Sequence, residues 1–329
     1  MPLLPVDTPL HLTPILVVKP WGGDRLAGLG RDVPSGIRIG ESWDVADLDP
    51  ATTTSPTTCS SVVATGPHAG RTLNDLLTTD ARGLLGDAQP VDGRFPVLVK
   101  LLDTREPLSV QVHPPHAYAS AHPGVHEKTE TWVVLDADDG ALLHLGVRPE
   151  ITLSALRPAL GTPGMVSLLR PIPAVVGAVH HLPSGLLHAL GAGVLVAEVQ
   201  MPSDTTFRVY DWTEELGRAP RELHLDAALG CLELAWDDNV GPLAPEAAGP
   251  DEPLALRTDA YSLDRRHLMD GEPRSYGDGR LRVVQVLSGS VTGPALAWPL
   301  HRGGTVVLPA AWRGELIAAG ATSLLETTV

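Results

Sequence analysis

Short apolar stretches that end at Gly, Pro, Asn or Asp recur along most of this chain. They include residues 14–18, 96–102, 131–135, 193–200 and 281–287. Runs of this length between breaking residues are typical of β-strands. Helical spacing, with leucines at three- and four-residue intervals, appears in two insertions, around residues 71–85 and 152–169. Many short strands with few helices predict a mainly β sandwich or barrel with helical insertions, rather than alternating strands and helices.

The pattern of short apolar runs stops between residues 213 and 253, where Glu, Asp, Pro and Ala accumulate. This composition is typical of a solvated connection between domains. We therefore predict a catalytic domain over residues 1–212 that contains both helical insertions, a linker over residues 213–253, and a second unit over residues 254–329.

One β motif occurs twice. Residues 177–188 have a glycine and a proline six residues apart and end in His188, and residues 303–314 have the same spacing but end in Gly314. Recurrence of this kind predicts a duplicated β unit. Because the second copy lacks the histidine, we expect the chemistry to lie in the first.

Composition excludes several classes of partner. The 329 residues include 24 Lys and Arg against 39 Asp and Glu, a formal charge of −15, whereas nucleic-acid binding uses a surplus of cations. No stretch approaches the roughly 18 apolar residues of a membrane span, and residues 1–18 lack the basic start of a secretory signal. With two cysteines, Cys59 and Cys231, the chain is expected to be cytoplasmic, without a disulfide framework and without nucleic-acid or membrane partners.

The basic residues are almost all arginine. Only Lys19, Lys100 and Lys128 are lysines among the 24. An ammonium group has a tunable pKa and a compact charge, which a guanidinium does not easily replace. These three positions are therefore candidates for chemistry.

A metal site is predicted by the distribution of histidine. Eight of the 13 histidines lie between residues 113 and 188. Gln111 and His113 alternate with valines, so a strand would place both on one face, and Glu130 alternates in the same way in the next strand. His188 follows a Pro/Gly turn. Two imidazoles, a carboxylate and an amide oxygen suit Zn²⁺ and leave positions open for substrate or water.

Seven sequence strings together resemble the type I mannose-6-phosphate isomerases, and most closely their short bacterial branch with two cupin units. They occur in the family's order between residues 15 and 212. The strings are residues 19–23 (KPWGG), 40–43 (GESW), 95–103 (FPVLVKLLD), 107–114 (PLSVQVHP), 128–132 (KTETW), 182–190 (LPSGLLHAL) and 203–212 (SDTTFRVYDW).

The resemblance implies a cupin fold, which is a double-stranded β-helix or jelly roll, with one zinc ion per chain held by the four residues above and a second unit without metal. It also implies that Arg208 and Lys128 are catalytic and that Ser109 and Lys100 line the substrate pocket. Arg208 could instead be a structural ion-pair partner of Asp211.

The implied activity is the interconversion of mannose 6-phosphate and fructose 6-phosphate through an enediol, by a monomer or homodimer acting on a small phosphorylated sugar. A carboxylate, Lys128 or a zinc-bound hydroxide could each move the proton. Lys19 and Glu41 are expected to order the loop near the pocket. Two alternatives remain, an isomerase of another aldose or aldose phosphate and a non-catalytic sugar-binding regulatory cupin.

Overall fold

The structure, a computed structural model, describes residues 4–51, 53, 59–234 and 245–329. The strands described up to residue 212 are β1 (Leu12–Thr13), β2 (Ile15–Gly23), β3 (Ile39–Val45), β4 (Val62–Val63), β5 (Leu98–Thr104), β6 (Val110–Val112), β7 (Glu130–Ala137), β8 (Leu142–Val147), β9 (Leu169–Pro173), β10 (Val179–Leu182), β11 (His188–Leu190), β12 (Val194–Gln200) and β13 (Phe207–Tyr210). Those after residue 254 are β14 (Ala255–Arg257), β15 (Ser262–Leu268), β16 (Pro273–Tyr276), β17 (Arg282–Ser288), β18 (Ser290–Thr292), β19 (Leu300–His301), β20 (Thr305–Leu308), β21 (Gly314–Ala318) and β22 (Thr322–Thr328).

Helices are few and short. They are α1 (Leu73–Leu85), α2 (His116–Ala121), α3 (Leu153–Leu156), α4 (Gly164–Leu168), α5 (Thr213–Leu216) and α6 (Leu225–Cys231), with 3₁₀ turns at Arg25–Leu29 and Arg157–Ala159. Helix α1 begins with a capping box, in which Thr72 and Asp75 satisfy each other's backbone N–H groups. No helix in the described ranges is long and apolar enough to cross a membrane.

The two units have the same strand order. The N-terminal unit pairs a six-stranded sheet, β10-β7-β12-β5-β2-β3, with a five-stranded sheet, β13-β6-β11-β8-β9. The C-terminal unit repeats this as β20-β17-β22-β15-β14 and β16-β21-β18-β19. All strand pairs within these sheets are antiparallel. Among the described residues, each C-terminal sheet has one strand fewer than its N-terminal counterpart, but the strands that correspond follow the same order, which confirms the predicted mainly β, duplicated cupin fold.

The barrel-facing side and the back of the six-stranded sheet differ because side chains alternate along β7. Trp132 and Val134 point into the N-terminal barrel and belong to its interior cluster. Val133 and Leu135 point the other way, into a hydrophobic cluster that also contains Leu263 and other residues of the C-terminal unit. The C-terminal sheet therefore covers the back of the sheet that carries Glu130.

Part of the segment predicted to be a linker is packed structure. Helices α5 and α6 lie within it, and Ala228 and Cys231 of α6 are buried in the cluster beneath β6 and β13. Residues 235–244 of the predicted linker lie outside the described residues. The domain boundaries at residues 212 and 254 stay a prediction. Cys59, in contrast to Cys231, is only half-buried.

Candidate metal centre and substrate cavity

Three buried side chains from different strands meet at one point inside the N-terminal barrel. One ligand atom each from His113, Glu130 and His188 lies within 4.8 Å of the others. Nε2 of His113 is 3.2 Å from Oε2 of Glu130, and Nε2 of His188 is 3.3 Å from Oε1 of Glu130. All three residues are at most 2% exposed. The predicted convergence of these three is therefore present in the structure.

Backbone carbonyls fix the tautomers of both histidines. Nδ1 of His113 lies 3.0 Å from the carbonyl oxygen of Thr205, and Nδ1 of His188 lies 2.8 Å from that of Leu186. Because a carbonyl oxygen only accepts hydrogen bonds, each Nδ1 carries a proton, and Nε2 of a neutral ring presents a lone pair to the centre. Burial and the Lys128 ammonium lower the pKa of His113 to about 3, so that this ring is neutral at physiological pH.

Glu130 is short of hydrogen-bond donors. Its Oε1 is buried and has no hydrogen-bond partner among the described residues. Burial would raise the pKa of this carboxyl, but the Lys128 ammonium holds it well below its usual range. A buried carboxylate that faces two imidazole lone pairs is the arrangement expected where a cation binds.

Gln111 and Ser109 complete this side of the barrel. Gln111 is in register with His188 on the neighbouring strand, which places both on the same face. Its Nε2 is 3.3 Å from Nε2 of His188, and its Oε1 accepts a hydrogen bond of 3.2 Å from Oγ of Ser109. Strand β6 covers only residues 110–112, so Ser109 and His113 lie just beyond its two ends.

Lys128 contacts the metal centre directly. Its Nζ lies 2.8 Å from Oε2 of Glu130 and 3.1 Å from Nε2 of His113. The side chain is 5% exposed. The ammonium is therefore the cation that balances Glu130 in this arrangement.

A row of paired charges crosses the six-stranded sheet beside the centre. The register places Trp132, Glu198, Lys100 and Trp43 next to one another on strands β7, β12, β5 and β3. Nζ of Lys100 is 3.3 Å from Oε1 of Glu198 and 3.7 Å from Oε2 of Glu41. The Trp132 indole donates to Glu198 over 2.9 Å. Lys100 is thus held between two carboxylates at the cavity wall.

Glu41 links this row to the first of the three lysines. Nζ of Lys19 lies 3.1 Å from Oε1 of Glu41, and the Trp43 indole donates to Oε2 over 2.6 Å. Burial would raise the pKa of Glu41, but Lys19, Lys100 and Trp43 lower it to about 2. These contacts tie β2, β3 and β5 together at the cavity, in agreement with an ordering role for Lys19 and Glu41.

Glu198 was not identified from the sequence. It is the single charged residue in the strand Val194–Gln200. A lone carboxylate in an otherwise apolar strand is the sequence feature that could have identified it as a site residue. Burial raises the pKa of Glu198, and the nearby Glu130 raises it further, although Lys100 acts in the opposite direction. Its carboxyl group differs in this respect from those of Glu41 and Glu130.

Arg208 faces the same cavity from the five-stranded sheet. It is in register with Gln111, and its Nη1 donates to the carbonyl oxygen of Glu222 over 2.8 Å. Its Nε is buried without a hydrogen-bond partner among the described residues. Asp211 is instead bound through both oxygens by Arg221. The contacts therefore favour the cavity-facing role of Arg208 over a structural pair with Asp211.

One cavity of about 380 Å³ lies beside these groups. It is bordered by the three lysines, by Arg208, and by apolar residues such as Leu102. The wall also contains Ser109, Gln111 and Glu198, and residues that were not predicted, including Asp204, Arg221 and His224. A cavity of this size with several cations can enclose a small anionic ligand.

The C-terminal barrel has different side chains at the equivalent positions. Glu130 is paired with Gln200, the last residue of β12, whereas on the equivalent strands Arg282 is paired with Thr328, the last residue of β22. Arg282 binds Asp278 through two hydrogen bonds of 2.7 and 2.6 Å. An ion pair therefore occupies the position equivalent to Glu130.

The histidine position is also changed in the C-terminal barrel. His188 is paired with Gln111 across β11 and β6, whereas the equivalent pair across β21 and β16 is Gly314 and Tyr276. Among the described residues, only the N-terminal barrel brings three metal-binding side chains together. The replacement of His188 by Gly314 in the second copy of the motif is thus one of several differences between the two barrels at these positions.

Comparison with known proteins agrees with this geometry. A family model for the catalytic domain of type I phosphomannose isomerases matches residues 10–149. A mannose-6-phosphate isomerase of Streptococcus mutans is 32% identical over 306 residues, which cover 92% of this chain and 92% of that protein.

Solved structures show the same fold. The crystal structure of the mannose 6-phosphate isomerase from Bacillus subtilis matches 98% of this chain and 100% of its own, with a TM-score of 0.80 and 28% identity. A mannose 6-phosphate isomerase solved with bound zinc and yttrium matches 98% of this chain and 100% of its own, with a TM-score of 0.71 and 16% identity.

Proposed function

This chain belongs to the type I phosphomannose isomerases, and from that membership we propose that it interconverts mannose 6-phosphate and fructose 6-phosphate with one zinc ion bound in the N-terminal barrel. The observation that carries the zinc proposal is the meeting of three buried ligand atoms around a carboxylate oxygen without a hydrogen-bond partner. The proposed ligands are Gln111, His113, Glu130 and His188.

The spacing of the ligand atoms fits zinc. Bonds of about 2.0–2.2 Å to nitrogen and oxygen place neighbouring ligand atoms of a tetrahedral zinc site roughly 3.3–3.6 Å apart. Nε2 of His113 lies 3.2 Å from Oε2 of Glu130, and Nε2 of His188 lies 3.3 Å from Oε1, the other oxygen of the same carboxylate. A set of two imidazoles and one carboxylate is typical of zinc sites with chemical activity. With Gln111 as a further ligand, substrate or water would be accepted by expansion from four to five ligands.

Gln111 can serve as the fourth protein ligand through its amide oxygen. Rotation of the amide by half a turn exchanges Oε1 and Nε2, which directs the oxygen toward His188 and the N–H group toward Oγ of Ser109. Ser109 would then accept a hydrogen bond and orient this ligand. We propose that Ser109 supports the metal site in addition to lining the cavity.

The proposed reaction moves a proton between C2 and C1 of the sugar through an enediol. When bound, zinc supplies a Lewis acid that stabilises negative charge on the C1 and C2 oxygens. Arg208 places a fixed cation beside the same cavity and adds to that stabilisation. The Lys100 ammonium, held by Glu41 and Glu198, contributes positive charge for the phosphorylated substrate.

We propose Glu198 as the group that accepts and returns the proton. A general base works best when its pKa lies near the operating pH. Of the buried carboxyls described around the cavity, Glu41 and Glu130 have lowered pKa values, and Glu198 has a raised one. Lys128 is a further candidate for a catalytic role because its ammonium contacts Glu130 of the proposed metal site.

A coupled assay tests the activity. The purified protein, loaded with zinc, is expected to convert mannose 6-phosphate to fructose 6-phosphate, to lose turnover after dialysis against a chelator, and to regain it with zinc. Solvent deuterium should enter C2 during the reaction. Turnover that survives complete removal of metal would contradict the zinc proposal, and binding of the sugar phosphate without deuterium exchange would contradict the isomerase proposal.

The setting proposed for this activity is the cytoplasm. Phosphorylated sugars are anionic metabolites that do not cross membranes unaided, and the two cysteines are not joined in a disulfide. Fractionation of cells that produce the protein, followed by the same assay, tests this placement.

A further inference from the structure

We infer that Lys128 is a built-in counter-cation of the metal centre, which stabilises the metal-free protein and which an incoming zinc ion must displace from Glu130. This inference rests on the proposed zinc site. Its geometric basis is that Nζ of Lys128 contacts two of the proposed ligand atoms, Oε2 of Glu130 at 2.8 Å and Nε2 of His113 at 3.1 Å. The Lys128 ammonium is thus in direct contact with two of the proposed metal ligands.

The charges in this part of the barrel must balance because they are buried. Without metal, the carboxylate of Glu130 and the ammonium of Lys128 cancel, and both side chains are at most 5% exposed. A divalent cation bound to Glu130 places two further positive charges within a few ångströms of that ammonium. Repulsion between like charges at such distances is strong where water is excluded. The ammonium therefore weakens zinc binding while it stabilises the metal-free fold.

Lys100 provides a matched comparison within the same cavity. It is equally buried, with 5% of its side chain exposed, but its closest carboxylates are Glu198 at 3.3 Å and Glu41 at 3.7 Å. Two carboxylates already surround this ammonium, and neither is a proposed metal ligand. Its removal is expected to destabilise the protein without a comparable gain in zinc affinity.

The test measures the zinc dissociation constant by competition with a chromophoric chelator, at about pH 8 so that protons compete weakly for the ligands. Lys128→Met and Lys128→Gln remove the charge, and the Gln side chain still offers an N–H group to Glu130. Both variants are expected to bind zinc about tenfold more tightly or better than the wild type. Lys128→Arg, which keeps the charge, and Lys100→Met should stay within about threefold of it.

Thermal unfolding supplies the second readout. In the metal-free state, Lys128→Gln should melt several degrees below the wild type, because Glu130 loses its partner, and zinc should raise its melting temperature by more than it raises that of the wild type. If a metal-free variant does not fold, the zinc-loaded variant can be diluted into excess chelator. Slower zinc release than from the wild type is then the expected result.

Equal or weaker zinc binding by both uncharged variants, or equal or faster release, would overturn the role of Lys128 while leaving the zinc site intact. A wild-type protein that binds no zinc would overturn the proposed site and this inference with it. A gain in affinity in Lys100→Met equal to that in Lys128→Gln would also overturn it, because the effect would then come from general charge in the cavity.

Discussion

Single hydrogen bonds define the chemistry of the metal centre at the residue scale. The two histidines could each present either ring nitrogen, and the carbonyls of Thr205 and Leu186 select Nε2 for both. Replacement of either histidine would therefore remove both a proposed metal ligand and a fixed ring orientation.

The proton-transfer role of Glu198 gives a prediction at this scale. Glu198→Gln keeps the shape and the hydrogen bond from Trp132 but removes the titrating group, so kcat should fall by about 10²- to 10⁴-fold. Zinc content should remain at one ion per chain. The measurement is steady-state isomerisation, combined with metal analysis.

Glu41→Gln is the matched control for that variant. It removes a carboxylate from the other side of Lys100, but one whose pKa of about 2 is too low for a base near neutral pH. Its kcat is expected to change by less than about tenfold. If the two variants lose activity equally, Glu198 is not the base.

Sequence patterns point to the proposed metal ligands more directly than to the proposed base. Gln111, His113 and Glu130 are recognisable because strand alternation places chemically suitable residues on one face. Glu198 lies on a strand that is apolar on both sides, and its role depends on cross-strand neighbours. The register of β12 with β5 and β7, which brings Lys100 and Trp132 beside it, is not readable from local pattern.

At the scale of elements, the same strand order supports two different interiors. In the N-terminal barrel the strands β6, β7 and β11 supply or flank the proposed metal ligands, and in the C-terminal barrel the equivalent strands β16, β17 and β21 carry Tyr276, Arg282 and Gly314. The guanidinium of Arg282 lies at the position equivalent to the carboxylate of Glu130. The backbone thus permits a metal site, and the side chains decide whether one forms.

The Asp278–Arg282 pair predicts a pH dependence of stability. Hydrogen bonding by Arg282 lowers the pKa of Asp278 to about 2, below the usual value of about 3.9. The pair therefore contributes fully above about pH 4, and the contribution is lost as the pH falls toward 2. Since the Asp278 side chain is 49% exposed, solvent screening limits the contribution to less than about 1 kcal/mol.

Urea unfolding of the wild type and Asp278→Asn measures this effect. The variant should be less stable at about pH 7 by up to about 1 kcal/mol, and the difference should shrink as the pH falls below about 4. A difference that grows with acidity would contradict the sign of the shift.

The helical insertions and the linker show where element prediction from sequence was limited. Leucine spacing indicated helices around residues 71–85 and 152–169, where α1, α3 and α4 lie. Residues 213–253 read as a connection because their composition is polar and rich in proline. A few apolar side chains, such as Leu225 and Ala228, are enough to pack α6 against the barrel. The apolar periodicity of so short a helix is too weak to be recognised from the sequence.

At the scale of the whole molecule, the two units share a core. The hydrophobic cluster behind the six-stranded sheet includes Val199 from the N-terminal unit and Leu263 from the C-terminal unit. Tyr261 reaches across this boundary, where its hydroxyl donates to the carbonyl of Val199 and bonds Oγ1 of Thr131, both over 3.0 Å. We therefore expect both units to unfold in a single cooperative transition.

Tyr261→Phe tests this coupling. Loss of the buried hydroxyl should lower the free energy of unfolding by about 1–2 kcal/mol, and circular dichroism and tryptophan fluorescence should follow the same transition. In a double-mutant cycle, Thr131→Val should add less in the Tyr261→Phe background than alone, because the two hydroxyls share a hydrogen bond. Two separate transitions would contradict the shared core.

The central claim is that one zinc ion in the N-terminal barrel is bound by Gln111, His113, Glu130 and His188. Anomalous diffraction at the zinc absorption edge, from crystals of the zinc-loaded, active protein, tests it most directly. The predicted result is a single strong peak about 2.0–2.2 Å from Nε2 of both histidines and from a carboxylate oxygen of Glu130. A peak elsewhere in the molecule, or none at this position in active protein, would contradict the account.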